Sequence, residues 1–103
     1  FQKADGDASI LCITEKDGTE TSTDSGIDMN NDVDVTLSIR VQGPKDSNHT
    51  GQVEFFVNRK LVATHTTNIP SDEILTIAAM SLSGNATGTK VTTLDYMFAA
   101  SDR

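Results

Sequence analysis

The sequence predicts an all-β domain, an antiparallel β-sandwich or jelly roll of about seven short strands. Three observations predict it. Apolar residues recur at every second position, as they do where a strand has one buried and one wet face. Gly, Asn, Asp and Pro interrupt that pattern at short intervals. No stretch carries a convincing helical period, and nothing alternates strands with helices as a parallel α/β sheet requires. The 103 residues suit a single domain spanning 1–103. Because the chain opens on Phe1 rather than Met, a processed protein or a piece of a longer one is expected.

The elements follow in order. ASILCITEK, ending at Lys16, is a nearly continuous apolar strand. KDGT, Lys16 to Thr19, is a turn, because Asp-Gly tolerates positive φ. TETSTD is a polar, Thr-rich strand suited to a sheet edge, and SGIDMNND is a loop. Residues 33–41, VDVTLSIRV, alternate without a fault. Val33, Val35, Leu37, Ile39 and Val41 form the expected buried face, against Asp34, Thr36, Ser38 and Arg40. QGPKDSNHTG, residues 42–51, is a loop.

A hairpin comes next, turning at Asn58-Arg59 or at Arg59-Lys60. Uninterrupted alternation puts Val53, Phe55 and Val57 on one face with Val62, Thr64 and Thr66. The other face then holds Glu54, Phe56, Leu61, Ala63 and His65 and is half apolar. SDEILTIAAMSL, 71–82, could be a helix capped by Ser71, but its Ile74, Thr76 and Ile77 favour a strand. SGNATGT is a loop, and KVTTLDYMFAA is the closing strand. It places Leu94, Tyr96 and Phe98 opposite Val91 and Met97.

Composition narrows the chemistry. A formal net charge of −7 disfavours nucleic acid and anionic membrane surfaces, both of which demand clustered Lys and Arg. No apolar run approaches the roughly 18 residues of a membrane-spanning helix. Cys12 is the only cysteine and lies in the apolar run ILCI, where a small buried hydrophobe is the expected role. Asp28, Asn30 and Asp32 alternate as D-x-N-x-D, a spacing of oxygen ligands that could begin a calcium loop. The continuation fails, because Val33 and Ile39 stand where the EF-hand needs Gly and a bidentate acid. A solvated loop is the favoured reading, and no cofactor is expected.

His49 and His65 are the only histidines, with no Cys near either, whereas zinc needs three or four ligands. In the simple hairpin register His65 lies near Glu54 and reads as half of a cross-strand polar pair. No G-x-S-x-G nucleophile turn is present, and the acids lie scattered over loops and strand exteriors. A non-enzymatic protein is expected.

The hairpin VEFFVNRKLVATHTTNIP resembles the strand-turn-strand of concanavalin A-like lectin/glucanase sandwiches, whose turn is commonly Asn-Gly where this chain has Asn58-Arg59. The preceding ADGD, DGTETSTD and alternating-strand segments are similar, in that order, to certain bacteriophage virion proteins. KVTTLDYMF looks like the last strand of the same sandwiches. The resemblance covers nearly the whole chain. It implies a lectin-like sandwich, of which this chain would be the C-terminal part. It also implies a structural or adhesive role at the virion surface, in a tail fibre or a capsid decoration. The glucanase signature E-x-D-x-x-E is absent and the legume-lectin metal ligands have no counterpart, so no catalytic or binding residue is carried over. The alternative reading within the resemblance is a carbohydrate-binding module for host recognition.

The two-faced hairpin sets the last expectation. Large apolar groups on both sides of a strand want cover on both sides. Phe56, Leu61, Tyr96 and Phe98 are therefore the expected interface of a homo-oligomer, and the resemblance to phage surface proteins implies a trimer before a dimer. Other virion proteins and a surface glycan are the further partners that the resemblance implies.

Overall fold

The computed structural model describes residues 1–4, 6–29, 34–43, 51–70 and 97–100. The chain divides into two units, Phe1–Asp72 and Glu73–Arg103. The first contains five strands in two antiparallel sheets, and no helix occurs among the described residues. The architecture is all-β and compatible with a β-sandwich. In order the strands are β1 (Leu11–Lys16), β2 (Thr19–Asp24), β3 (Leu37–Gln42), β4 (Gln52–Val57) and β5 (Lys60–His65). β1 and β2 form one sheet, and β3, β4 and β5, in that spatial order, form the other.

The first sheet is a hairpin closed by Asp17-Gly18, both at positive φ (51° and 73°). This is the geometry whose twist matches the flanking strands, and it makes Lys16 and Thr19 partners. The chain before β1 bridges back onto it through reciprocal Gln2 and Leu11 backbone hydrogen bonds of 2.9 and 2.8 Å. The loop after β2 returns along the start of β1, with Ser25 N–H donating to the Ile10 carbonyl and Ile10 N–H to that of Ile27.

In the second sheet the β4–β5 turn falls at Asn58-Arg59, at φ values of 51° and 68°. Asn58 holds the turn to the chain entering β3. Its N–H donates to the Thr36 carbonyl (2.8 Å), and its Oδ1 accepts from the Thr36 N–H (2.9 Å).

The core lies on one face of β4 and β5. Cys12, Val53, Phe55 and Ala63 form its buried cluster, with Phe1, Val62 and Ile69 packed against it. Phe1 meets Phe55 edge to face, with ring centroids 5.3 Å apart. Ile10 and Val57 are also fully buried.

Three expectations are corrected. First, the hairpin does not alternate without interruption. The register runs Val57↔Lys60 and Phe56↔Leu61, then jumps to Phe55↔Ala63, Glu54↔Thr64 and Val53↔His65. Val62 is the extra residue of a β-bulge, and one extra residue reverses the parity of everything beyond it. Ala63 and His65 therefore share the core face with Val53 and Phe55. Glu54 faces away from His65, so the expected pairing of those two does not occur.

Second, the strand expected over 33–41 is Leu37–Gln42, and its apolar face is not buried. Leu37, Ile39 and Val41 are 39%, 50% and 47% exposed. They point to the same side as their partners Val57, Phe55 and Val53. The core cluster, however, draws on β4, β5 and β1, and none of its members comes from β3.

Third, residues 97–100 of the expected closing strand form no strand. The alternation there runs out into Ala99-Ala100, whose small side chains add little to a ladder. The rest of that element, 90–96, lies outside the described residues, as does the whole of 71–82.

Candidate functional site

Among the described residues, the three-stranded sheet carries two distinct side-chain clusters, one on each face, and the bulge decides which β5 residue goes to which face.

On the inner face, beside the apolar core, His65 is the centre of a buried polar cluster between the sheets. Its Nδ1 lies 3.0 Å from Thr14 Oγ1 and its Nε2 lies 2.9 Å from Thr23 Oγ1. Thr14 has one hydroxyl proton, and it goes to the Thr67 carbonyl, 3.2 Å away. Thr14 therefore accepts from His65 Nδ1–H, and Thr23 donates to Nε2. A neutral imidazole satisfies this arrangement completely, and burial pushes the His65 pKa down, in keeping with it. Thr21 bonds the Thr67 hydroxyl (2.9 Å) and accepts from the Asn68 amide (2.9 Å), tying β2 to the segment after β5. The ring also stacks obliquely on Phe55, with centroids 5.0 Å apart. Both ring nitrogens are occupied, so this is a structural histidine. Cys12, beside it in the core, has its pKa raised, chiefly by burial. That keeps the thiol protonated and unreactive.

The outer face carries Ser38, Arg40 and Gln42 from β3, with Gln52, Glu54 and Phe56 from β4 and Leu61 and Thr64 from β5. Arg40 and Glu54 are direct cross-strand partners and form an ion pair and hydrogen bond. The hydrogen bond to Glu54, and then its charge, raise the Arg40 pKa further. The guanidinium also lies 5.8 Å from the Phe56 ring centroid, a cation–π distance. Glu54 is buried beneath Arg40, while Phe56 is half-buried and its partner Leu61 is 48% exposed. Gln52 donates to Gln42 alongside (2.9 Å). Phe56 and Leu61 thus form an apolar pair set in a polar frame.

Phe98 is 78% exposed in the second unit, and Tyr96 lies outside the described residues. Of the D-x-N-x-D trio, Asp28 lies on the surface 3.4 Å from the Lys3 ammonium, whereas Asn30 and Asp32 fall outside the described residues. No group of three or more His, Cys, Asp or Glu side chains capable of holding a metal ion occurs among the described residues. The Thr-His cluster was not anticipated from sequence. Thr21 and Thr23, two positions apart and so on the same side of a strand read as a polar edge, were the only signal of an inward-facing polar row. The chain matches no family model, no curated protein and no solved structure.

Proposed function

We propose that this chain is a non-enzymatic structural module of a bacteriophage virion, carried at the particle surface in a tail fibre or as a capsid decoration. In this reading it completes a lectin-like sandwich or jelly roll of about seven strands. It works by assembling with copies of itself and with neighbouring virion proteins. The observation that carries the reading is the distribution of apolar surface. Leu37, Ile39 and Val41 stand exposed in a row on one side of the second sheet, and Leu61 stands exposed beside Phe56 on the other. A small acidic protein with apolar groups open on two sides of one sheet is built to be covered by other protein. The phage assignment draws its support from the resemblance carried by the hairpin and the segments before it. Among the described residues the histidine and the cysteine are both committed to the interior, in keeping with a role in surface contact.

Two measurements test the proposal. The gene is expected among capsid and tail genes, and a neighbourhood of polysaccharide-degrading enzymes would count against it. On a glycan array the protein is expected to show no binding. Saturable binding to one glycan class would move the reading to the carbohydrate-binding module instead.

A further inference from the structure

We infer that the outer edge of β3 is the surface through which two copies of this chain join, pairing antiparallel about a two-fold axis at Ile39. The inference rests on the self-associating reading above and names its surface.

Backbone direction comes first. Asn58 N–H donates to the Thr36 carbonyl, so Thr36 points its backbone groups toward β4. The β3–β4 register is unbroken from Leu37↔Val57 to Gln42↔Gln52. Alternation then directs Ser38, Arg40 and Gln42 toward β4, and directs the N–H and C=O groups of Leu37, Ile39 and Val41 away from it. Among the described residues no strand lies on that side. The same three residues carry the exposed apolar side chains.

The opposite edge of the sheet is blunted. β5 begins with Lys60 and carries the bulge at Val62, two devices that discourage edge pairing. β3 has neither. Its one charge, Arg40, is drawn onto the outer face by Glu54.

The occupant follows from register. In an antiparallel pair, outward-directed residues must meet outward-directed residues, so a second β3 can pair only in steps of two positions. Centred on Ile39, the pairing sets Leu37 against Val41 of the other copy, Ile39 against Ile39, and Ser38 against Arg40. Every residue from Leu37 to Val41 then has a partner, apolar against apolar on the inner side. Moving the centre to Arg40 puts two guanidinium groups face to face. Moving it to Ser38 leaves Arg40 and Val41 opposite residues that precede the strand. The strand is thus self-complementary in one register. That register is isologous, joins the two three-stranded sheets into one, and closes at two copies.

The full chain at tens of micromolar, studied by size exclusion with light scattering, is expected to run at twice its 11.0 kDa mass. Ile39→Lys and Ile39→Glu, each placing like charges across the two-fold, are expected to halve that mass with unchanged far-UV circular dichroism. An equimolar mixture of the two is expected to restore the dimer, because the charges then pair. Leu61→Lys, on the outer face, is expected to leave it intact. In the wild type, amide exchange at Leu37, Ile39 and Val41 should slow as concentration rises. A monomeric wild type overturns the self-association reading together with this one. A trimer, a dimer that survives both Ile39 variants, or one that Leu61→Lys dissociates overturns the β3 edge alone. So does an Ile39→Lys chain that fails to fold, since Ile39 would then belong to the interior of a single copy.

Discussion

Arg59 occupies a backbone conformation that its side chain opposes. At φ 68° it is the second central residue of a two-residue hairpin turn, where the favoured residue is Gly. A left-handed conformation costs a residue bearing a Cβ about 1–2 kcal/mol, and Gly avoids that cost while making the unfolded chain more flexible. Arg59→Gly is expected to stabilise the fold by about 0.5–1 kcal/mol net. Thermal denaturation should show a rise of a few degrees, and a lower Tm would contradict the turn geometry. His65 makes a second case. Burial lowers its pKa below the ordinary 6.5, so the unfolded chain takes up a proton at higher pH than the folded chain does. Its contribution to stability is complete above pH 6.5 and is lost as pH falls from there through the folded-state pKa. Urea midpoints measured at pH 7.5 and 5.5 should therefore fall further in the wild type than in His65→Gln. An equal fall in both would show that His65 titrates alike folded and unfolded. The turn was legible to within one residue, because Asn58 tolerates positive φ while Arg59 gives no local sign of it. The surroundings of His65 were not, because Thr14 and Thr23 reach it from other parts of the chain.

At the scale of elements, strands β1, β2, β4 and β5 and the Asp-Gly turn could be read from apolar patterning and turn residues, while the second hairpin tip was confined to Asn58-Arg59 or Arg59-Lys60. Faces were harder, because period-two reasoning carries parity along a strand and a single bulged residue inverts it. Val62 carries no mark of a bulge in the sequence, where Gly would have suggested one. What selects the bulge is the core itself. It brings Ala63, small enough to lie against Phe55, and His65, which finds two threonine partners, onto the inner side. Adjacent substitutions test this directly. Ala63→Lys forces an ammonium into the core beside Phe55 and is expected to cost more than about 2 kcal/mol, as unpaired buried charges do. Thr64→Lys sits on the outer face opposite Glu54 and is expected to stay within about 0.5 kcal/mol of wild type. Denaturant unfolding of the two variants separates the registers, since an unbulged hairpin predicts the reverse order. The exposure of β3 was likewise out of reach from sequence. Alternation shows that one side of a strand is apolar, but not which neighbouring layer extends far enough to cover it.

At the scale of the whole molecule, charge and apolar surface work against each other. Each copy carries a formal net charge of −7, so two copies repel at long range. The proposed β3 contact supplies no ion pair to offset that repulsion. It joins backbone groups and aliphatic side chains, with Arg40 already engaged by Glu54 of its own chain. Salt screens the repulsion, since the Debye length falls from about 30 Å at 0.01 M to about 10 Å at 0.1 M. It leaves the hydrogen-bonded, apolar contact in place, and kosmotropic anions strengthen such burial further. Association is therefore expected to tighten several-fold between 10 and 300 mM sodium chloride, and to tighten more in sodium sulfate at equal ionic strength. Sedimentation velocity across a dilution series at each salt concentration measures it. Contacts built on opposite charges respond in the other direction, because screening removes the attraction that holds them. A dimer that weakens as salt rises would accordingly place the interface on paired charges elsewhere on the surface, and the aliphatic edge of β3 would no longer account for it.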